Sequence, residues 1–316
     1  LEHGLLGAVL GALMLVPLLE GLLRRTAGIG IQGSQAFVQH FTLLVSVLGG
    51  ALAAREGRLL TLSTLPTILP PTGRRLAEIF SSGVAAALSL VLAVASWQFV
   101  QVEPAGAILA YGIPKRAFQW FLPATFAVIS LRLWWRSAPD ARGRALGLLL
   151  VAGLLAAARF LTAEQLLWPG LALVAAATLL GGPLFVTLGG VALLLLHGSG
   201  RPASLVPSEH YFLVTDAVLP SLPLFTLAGY FLAEGGASRR LVRLFEVWVG
   251  GLRGGPAIIT VLVCAFFTSF TGASGVTILA LGPLLMPVLV RAGYPDRASL
   301  GLVTGAGSLG LLFPPC

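Results

Sequence analysis

Ser269, Thr271, Ser274 and Thr277 set four side-chain hydroxyls into one short stretch, with Gly272 and Gly275 between them. A second stretch, Thr304-Gly305-Ala306-Gly307-Ser308 running on to Gly310 and Phe313-Pro314-Pro315-Cys316, repeats the mixture of small, hydroxyl-bearing and helix-breaking residues. Hard cations such as Na⁺ want several oxygens, and hydroxyls with carbonyls freed by glycine supply them without a buried carboxylate. The oxygens expected to hold the ion belong to Ser269, Gly272, Ser274, Gly275, Gly305, Ser308, Gly310 and Pro314. Helix N-termini at the same place favour an anionic group of a substrate. Thr271, Ala273, Ser274, Thr277, Pro315 and Cys316 are expected to line it. Small residues here also suit close helix packing and nothing more.

The element that must position the first set is Pro256 to Arg291. Its two apolar arms, about 15 to 16 residues each, make only about 22 to 24 Å of helix, whereas a span needs roughly 20 apolar residues. A re-entrant helical hairpin is therefore expected, with the polar centre at its tip. Irregular backbone at membrane depth survives only where protein buries it or it lines a water-filled cavity. The second set belongs to a broken helix, 297–316, expected to face that tip.

Composition fixes the setting. Of 316 residues, 57% are hydrophobic and only 10% charged, with a mean hydropathy of +0.93. Soluble domains carry about 25% charged residues, so an all-α polytopic membrane protein is expected, embedded in the lipid bilayer. No alternating segments of the kind that build a membrane barrel are visible. The net charge of +8 comes from bases in short loops, where they set topology, and nucleic acid is not an expected partner. Nothing resembles a P-loop, Cys264 and Cys316 imply no disulfide framework, and no cofactor is expected. The chain opens on Leu1 and stops inside an apolar segment, so a longer polypeptide is expected.

In order, spans are expected at Leu5 to Leu23, Phe41 to Ala54 (with 33–40 lying at the interface), Ala77 to Val100 and Ala117 to Leu133. The basic, polar stretch 132–144 reads as a linker and module boundary, followed by a span from Ala145 to Thr162. Charge settles 166–196 as two short passes turning at Gly181-Gly182-Pro183. A span Tyr211 to Ala233 must then run inward, toward the bases at Arg239, Arg240, Arg243 and Arg253, under the positive-inside rule. Those bases alternate with Leu241, Leu244, Val247 and Trp248, the pattern of an amphipathic helix lying on the membrane surface.

Gly272-Ala273-Ser274-Gly275 matches the G-x-S-G of rhomboid-type intramembrane serine proteases. A serine nucleophile needs a base within hydrogen-bond reach, and no histidine follows His210. His40, His197 and His210 read as solvated loop or span-end histidines. An intramembrane protease and a non-transporting membrane scaffold stand as the two alternatives to a transporter.

Ordered motifs resemble the tripartite ATP-independent periplasmic (TRAP) transporters. They are Pro223-Leu224-Phe225-Thr226-Leu227-Ala228-Gly229, Gly251-Leu252-Arg253-Gly254-Gly255, Phe267-Thr268-Ser269-Phe270-Thr271-Gly272-Ala273-Ser274, Pro287 through Gly293-Tyr294, and Gly310-Leu311-Leu312-Phe313-Pro314-Pro315-Cys316. Residues 1–136 resemble the four-helix small subunit, with Leu48-Gly49-Gly50-Ala51-Leu52-Ala53-Ala54-Arg55-Glu56-Gly57 after its second span. Residues 137–165 then resemble a linker and connector helix, and 166–316 the first part of the large subunit. That part divides into scaffold helices 166–234, an arm 236–253, a hairpin 256–292 and a broken helix 297–316. The resemblance implies a non-enzyme: an elevator-type permease of the bacterial inner membrane. It further implies Na⁺ as coupling ion, a small organic anion as substrate, typically a carboxylate, and a periplasmic substrate-binding protein as partner. The chain departs from the family pattern in three places. Its tip is TGAS where the family has SGS, Val276-Thr277 stands at the family's acidic position, and Cys316 replaces the last serine of PPS.

Overall fold

The computed structural model describes the chain apart from residues 1, 62–67, 105, 235, 237–239, 241–242, 245–246, 249–251, 253, 273 and 313–316. The protein is an all-α membrane protein. Among the described residues four helices are long and apolar enough to cross a bilayer: Glu2–Ala27 (α1), Ser34–Glu56 (α2), Pro71–Val102 (α3) and Ala141–Phe160 (α6). The helices Lys115–Gln119 (α4) and Phe121–Arg136 (α5) meet at Trp120. By contacts the chain divides into two compact units, Leu1–Ala217 and Val218–Cys316.

α3 is the axis of the first unit, packing against α5 and α6 and against three later helices. Its buried face is built from small residues: Ser81, Gly83, Ala85, Ala86, Ala87, Ser89, Ala93, Ala95 and Ser96. Small side chains let backbones approach where lipid offers no hydrophobic drive to associate. Close approach is visible at Gly83, where an added Cβ would lie 2.7 Å from Leu150 Cδ2. Ser130 Oγ of α5 donates to the Ala86 carbonyl of α3 at 2.7 Å, an interhelical bond between buried groups.

α2 is continuous from Ser34, so the separate interfacial segment expected at 33–40 does not exist. Gly33, at φ 74°, makes the turn that a side chain would strain. The Ser34 hydroxyl then donates to Glu20 of α1, whose carboxylate also holds Arg24 at 2.8 Å.

Within the stretch 132–144 only residues 137–140 lie outside α5 and α6, and they form a built turn. Asp140 caps α6 by accepting from the Gly143 N–H at 3.2 Å and pairs with Arg75. Trp134 Nε1 donates to the Arg144 carbonyl at 3.0 Å, and the Arg144 guanidinium stacks 4.1 Å over Trp135. Burial by itself raises the Asp140 carboxyl, but the Gly143 N–H, its own N–H and Arg75 outweigh it and hold it below the ordinary value. A depressed carboxylate stabilises the fold above its unfolded pKa and loses that effect as pH falls through its lower folded pKa. Asp140→Ala should therefore melt below wild type between pH 5 and 7. The gap should close below about pH 4, the ordinary aspartate range, which thermal scans of the two proteins at stepped pH will show.

Residues 163–198 form two helices, Ala163–Leu179 (α7) and Leu184–Gly198 (α8), that pack on one another. The turn is at Gly181-Gly182-Pro183, with Gly181 at φ 92°. The Leu184 N–H donates to the Leu60 carbonyl at 2.9 Å, tying this turn to the chain after α2.

The single span expected from Tyr211 to Ala233 is two helices, Leu205–Val214 (α9) and Ser221–Glu234 (α10). Pro220 has no N–H to continue a helix, and the Thr215 hydroxyl turns back on the Tyr211 carbonyl at 2.8 Å. Continuous apolar composition hides that break. The division between the two units falls within it. The amphipathic helix expected at 239–253 lies largely outside the described residues; of those described, Arg240, Arg243, Leu244, Val247 and Trp248 are helical and exposed.

Candidate functional site

The second unit centres on three helices: Gly255–Thr271 (α11), Ser274–Arg291 (α12) and Asp296–Leu309 (α13), which tightens into a 3₁₀ turn at Gly310–Leu312. α11 and α12 pack as a hairpin, and α13 packs on both. Each helix buries one stripe at helical spacing: Ile259, Val263 and Phe267; Leu281, Leu285 and Leu289; Val303 and Ala306. Residues four apart share a helix face, so these three stripes fuse into one apolar core.

The tip sits beyond that core. α11 ends because Gly272 takes φ 65° and its N–H closes on the Thr268 carbonyl at 2.8 Å. Such a left-handed C-cap is the ordinary glycine stop signal. Ala273 lies outside the described residues, and α12 starts at Ser274.

Below this turn is a layer of oxygens from all three helices. Thr268 Oγ1 lies 2.9 Å from Thr277 Oγ1 and 2.9 Å from the Gly307 carbonyl oxygen. Ser269 Oγ donates to the Ala265 carbonyl at 2.8 Å, and the Gly310 carbonyl oxygen is 3.4 Å away. All three hydroxyl residues are buried. A hydroxyl has one proton and two lone pairs, so this layer keeps more acceptors than donors.

Glycine is required where α13 meets the hairpin. A Cβ on Gly310 would overlap the Thr268 side chain and stand 2.9 Å from the Ala265 carbonyl oxygen. One on Gly307 would press to 3.0 Å on Ile278 Cγ1, with the Ser274 carbonyl oxygen 3.5 Å off.

Of the residues expected to bind, the structure brings Ser269, Thr277 and Gly310 together, with the Ser274 backbone nearby. Gly272 and Gly275 are exposed at the turn, and Gly305 and Ser308 lie on the exposed face of α13. Ala273, Pro314, Pro315 and Cys316, and the side chain of Thr271, lie outside the described residues. Sequence reasoning missed Thr268, the residue that bonds both neighbours. Its signal was symmetry: Thr268 and Thr277 stand equally far from the turn at 272–273.

The four histidines all lie in the first unit, so Ser274 has no histidine base in its own. His40 is not a solvated span-end residue: it is buried, with Nε2 2.8 Å from the Tyr211 hydroxyl. Among the described residues no group of three His, Cys, Asp or Glu side chains is placed to hold a metal. The described residues of the tip offer neutral oxygens, a donor set that fits a hard, weakly polarising cation.

Residues 13–143 match the family model described as "Tripartite ATP-independent periplasmic transporters, DctQ component", and residues 171–316 match "Tripartite ATP-independent periplasmic transporter, DctM component". Among curated proteins, the C4-dicarboxylate TRAP transporter large permease protein DctM of Pseudomonas aeruginosa is 42% identical over 108 residues, covering 34% of this chain and 24% of the relative. The isethionate TRAP transporter permease protein DctMQ of Oleidesulfovibrio alaskensis is 34% identical over 136 residues, 43% of this chain and 21% of the relative. The ectoine/5-hydroxyectoine TRAP transporter large permease protein UehC of Ruegeria pomeroyi is 30% identical over 140 residues, 43% and 33% respectively. The chain thus spans a third or less of the length of these relatives.

Proposed function

The chain belongs to the tripartite ATP-independent periplasmic transporter family, with a DctQ-type and a DctM-type portion fused, and we propose that it serves in Na⁺-coupled import of a small organic anion. The observation that carries this reading is the layer where Thr268, Ser269 and Thr277 of the hairpin meet the Gly307 and Gly310 carbonyls of α13. Broken helices meeting at hydroxyls and freed carbonyls are how secondary transporters hold alkali ions.

On this reading the Na⁺ oxygens come from Ser269 and Gly310, with Gly272, Ser274, Gly275, Gly305, Ser308 and Pro314 contributing where the complete protein closes around the tip. The anion lies against the start of α12, where the helix dipole leaves partial positive charge. Thr271, Ala273, Ser274, Thr277, Pro315 and Cys316 border it. A carboxylate is the class we favour, because the described residues at the tip carry no fixed charge that would repel one.

A periplasmic binding protein delivers the substrate, the membrane is the bacterial inner membrane, and the hairpin 256–292 with the broken helix 297–316 carries the site in an elevator mechanism. Chemistry on the substrate has no place in this scheme, and Ser274 is a ligand in it.

The test is uptake by the full-length protein with its binding protein in proteoliposomes. Ser274→Leu places a branched apolar side chain at the start of α12, and uptake should fall at least about tenfold, the scale of one lost polar contact of about 1.4 kcal/mol. Uptake unchanged by Ser274→Leu contradicts the tip assignment.

A further inference from the structure

α1 and α5 both pack on α2 and leave a groove of about 240 Å³ between them. Leu48 of α2 forms its floor, Leu5 of α1 one wall, and Phe121, Ala124 and Val128 of α5 the other. Phe121, Ala124, Val128 and Arg132 recur at three- and four-residue spacing, so they share one face of α5. From Phe121 to Arg132 that face runs about 16 Å at the rise of an α-helix. Protein does not fill the groove: Leu5, Phe121 and Val128 remain 51%, 38% and 38% exposed.

One end of this apolar trough is charged. Glu2 and Arg132 line it there, and the Glu2 carboxylate bridges Arg132 to Arg55, the latter at 3.2 Å. Arg132 Nη1 also donates to the Ala51 carbonyl of α2 at 2.6 Å, and Arg136 Nη1 to the Arg55 carbonyl. Arg58 pairs more loosely with Glu56, at 3.7 Å. The end of α2 thus gathers four guanidiniums, Arg55, Arg58, Arg132 and Arg136, around two carboxylates, Glu2 and Glu56. Four against two leaves two positive charges in excess. A guanidinium carries five N–H donors in a fixed fork, and the Arg132 bonds to Ala51 and Glu2 take one from each Nη.

We propose that this groove is a binding site for one anionic phospholipid. An acyl chain lies along the α5 face from Phe121 to Val128, and the phosphodiester sits against Arg132 and the neighbouring guanidiniums. Charge complementarity selects this occupant. An apolar trough opening onto excess guanidinium at one end matches a molecule with an apolar chain and a net negative head. A zwitterionic lipid brings its own cation to the same place and is disfavoured. Arginine forks take phosphate oxygens in pairs, and basic pockets between membrane helices suit anionic headgroups. The lipid adds lateral support to α1, whose packing is on α2. The site lies within the first unit and does not rest on the transport reading.

Native mass spectrometry of the full-length protein tests this, with phosphatidylglycerol and phosphatidylcholine of the same chains offered together in detergent. Wild type should retain one phosphatidylglycerol at several-fold the level of phosphatidylcholine. Arg132→Gln removes the charge at the mouth of the groove and should abolish that preference. Val128→Trp fills the trough, leaves every charge in place and should lower phosphatidylglycerol retention several-fold. Arg201→Gln, at an exposed base outside the groove lining, should behave as wild type, and excess glycerol 3-phosphate should not displace the lipid. Equal retention of the two lipids overturns the proposal, as does phosphatidylglycerol held undiminished in Arg132→Gln or Val128→Trp. Displacement by glycerol 3-phosphate, or an equal loss in Arg201→Gln, overturns it too, the first by showing a headgroup ion alone and the second a diffuse charge effect.

Discussion

Gly310→Val is expected to abolish uptake by the full-length protein, while Gly305→Ala is expected to leave it close to wild type. The two glycines lie on one helix five residues apart and look alike in the sequence, but their surroundings are opposite. At Gly310 even a methyl group would overlap Thr268 and stand 2.9 Å from the Ala265 carbonyl oxygen. That carbonyl belongs to the α11 backbone and already accepts from Ser269, so it cannot yield without unwinding the helix. Close-packed interiors transmit such strain, and the end of α13 would be pushed off the hairpin. Displacement of about 1 Å in a functional constellation is worth roughly 100-fold. At Gly305 an added Cβ meets nothing within 4 Å. Alanine there keeps the carbonyl and should stabilise the helix by about 0.5–1 kcal/mol. Rates of uptake at equal protein levels check both.

Thr268→Val is the second large effect. Valine matches the shape of threonine but removes the hydroxyl that reaches Thr277 and the Gly307 carbonyl at 2.9 Å each. Leaving a buried polar group without its partner costs about 1–3 kcal/mol, which is roughly 5- to 150-fold in an affinity. The loss should appear in the apparent Na⁺ affinity of uptake, together with a lower melting midpoint. Thr268→Ser, which keeps the oxygen, should recover most of the Na⁺ affinity. A purely packing role for Thr268 would give the reverse order, with valine better tolerated than serine.

What the sequence made legible is what glycine and periodicity encode. The hairpin follows from two apolar arms of awkward length around Gly272, and Gly272 is the residue at φ 65°. The turn at 181–183 follows from Gly181-Gly182-Pro183 once the bases on either side must be placed. The polar tip was legible as a set of hydroxyls, but its wiring was not. Thr268 directly follows the apolar run Cys264-Ala265-Phe266-Phe267, and a helical threonine commonly bonds back to its own turn. Only packing of α13 shows that its hydroxyl points across. Gly305 and Gly310 could not be told apart, because which face α13 presents is set by Ser299, Val303 and Ala306. The His40–Tyr211 bond joins residues far apart in the chain, a distance no local pattern reports. The break between α9 and α10 had a signal in Pro220, and uniform apolar composition outweighed it. The contacts of Asp140, Arg144 and Trp134 across the turn between α5 and α6 were equally illegible, because composition there shows only charge.

The measurement closest to the central claim is the Na⁺ dependence of substrate uptake in proteoliposomes carrying the full-length protein and its binding protein, with wild type and Thr268→Val compared. The account predicts accumulation driven by an inward Na⁺ gradient, none when choline replaces Na⁺, and a curve shifted to at least about fivefold higher Na⁺ in Thr268→Val, the scale of one buried hydrogen bond. Uptake that proceeds equally in choline, or a Na⁺ curve that Thr268→Val leaves in place, would contradict it.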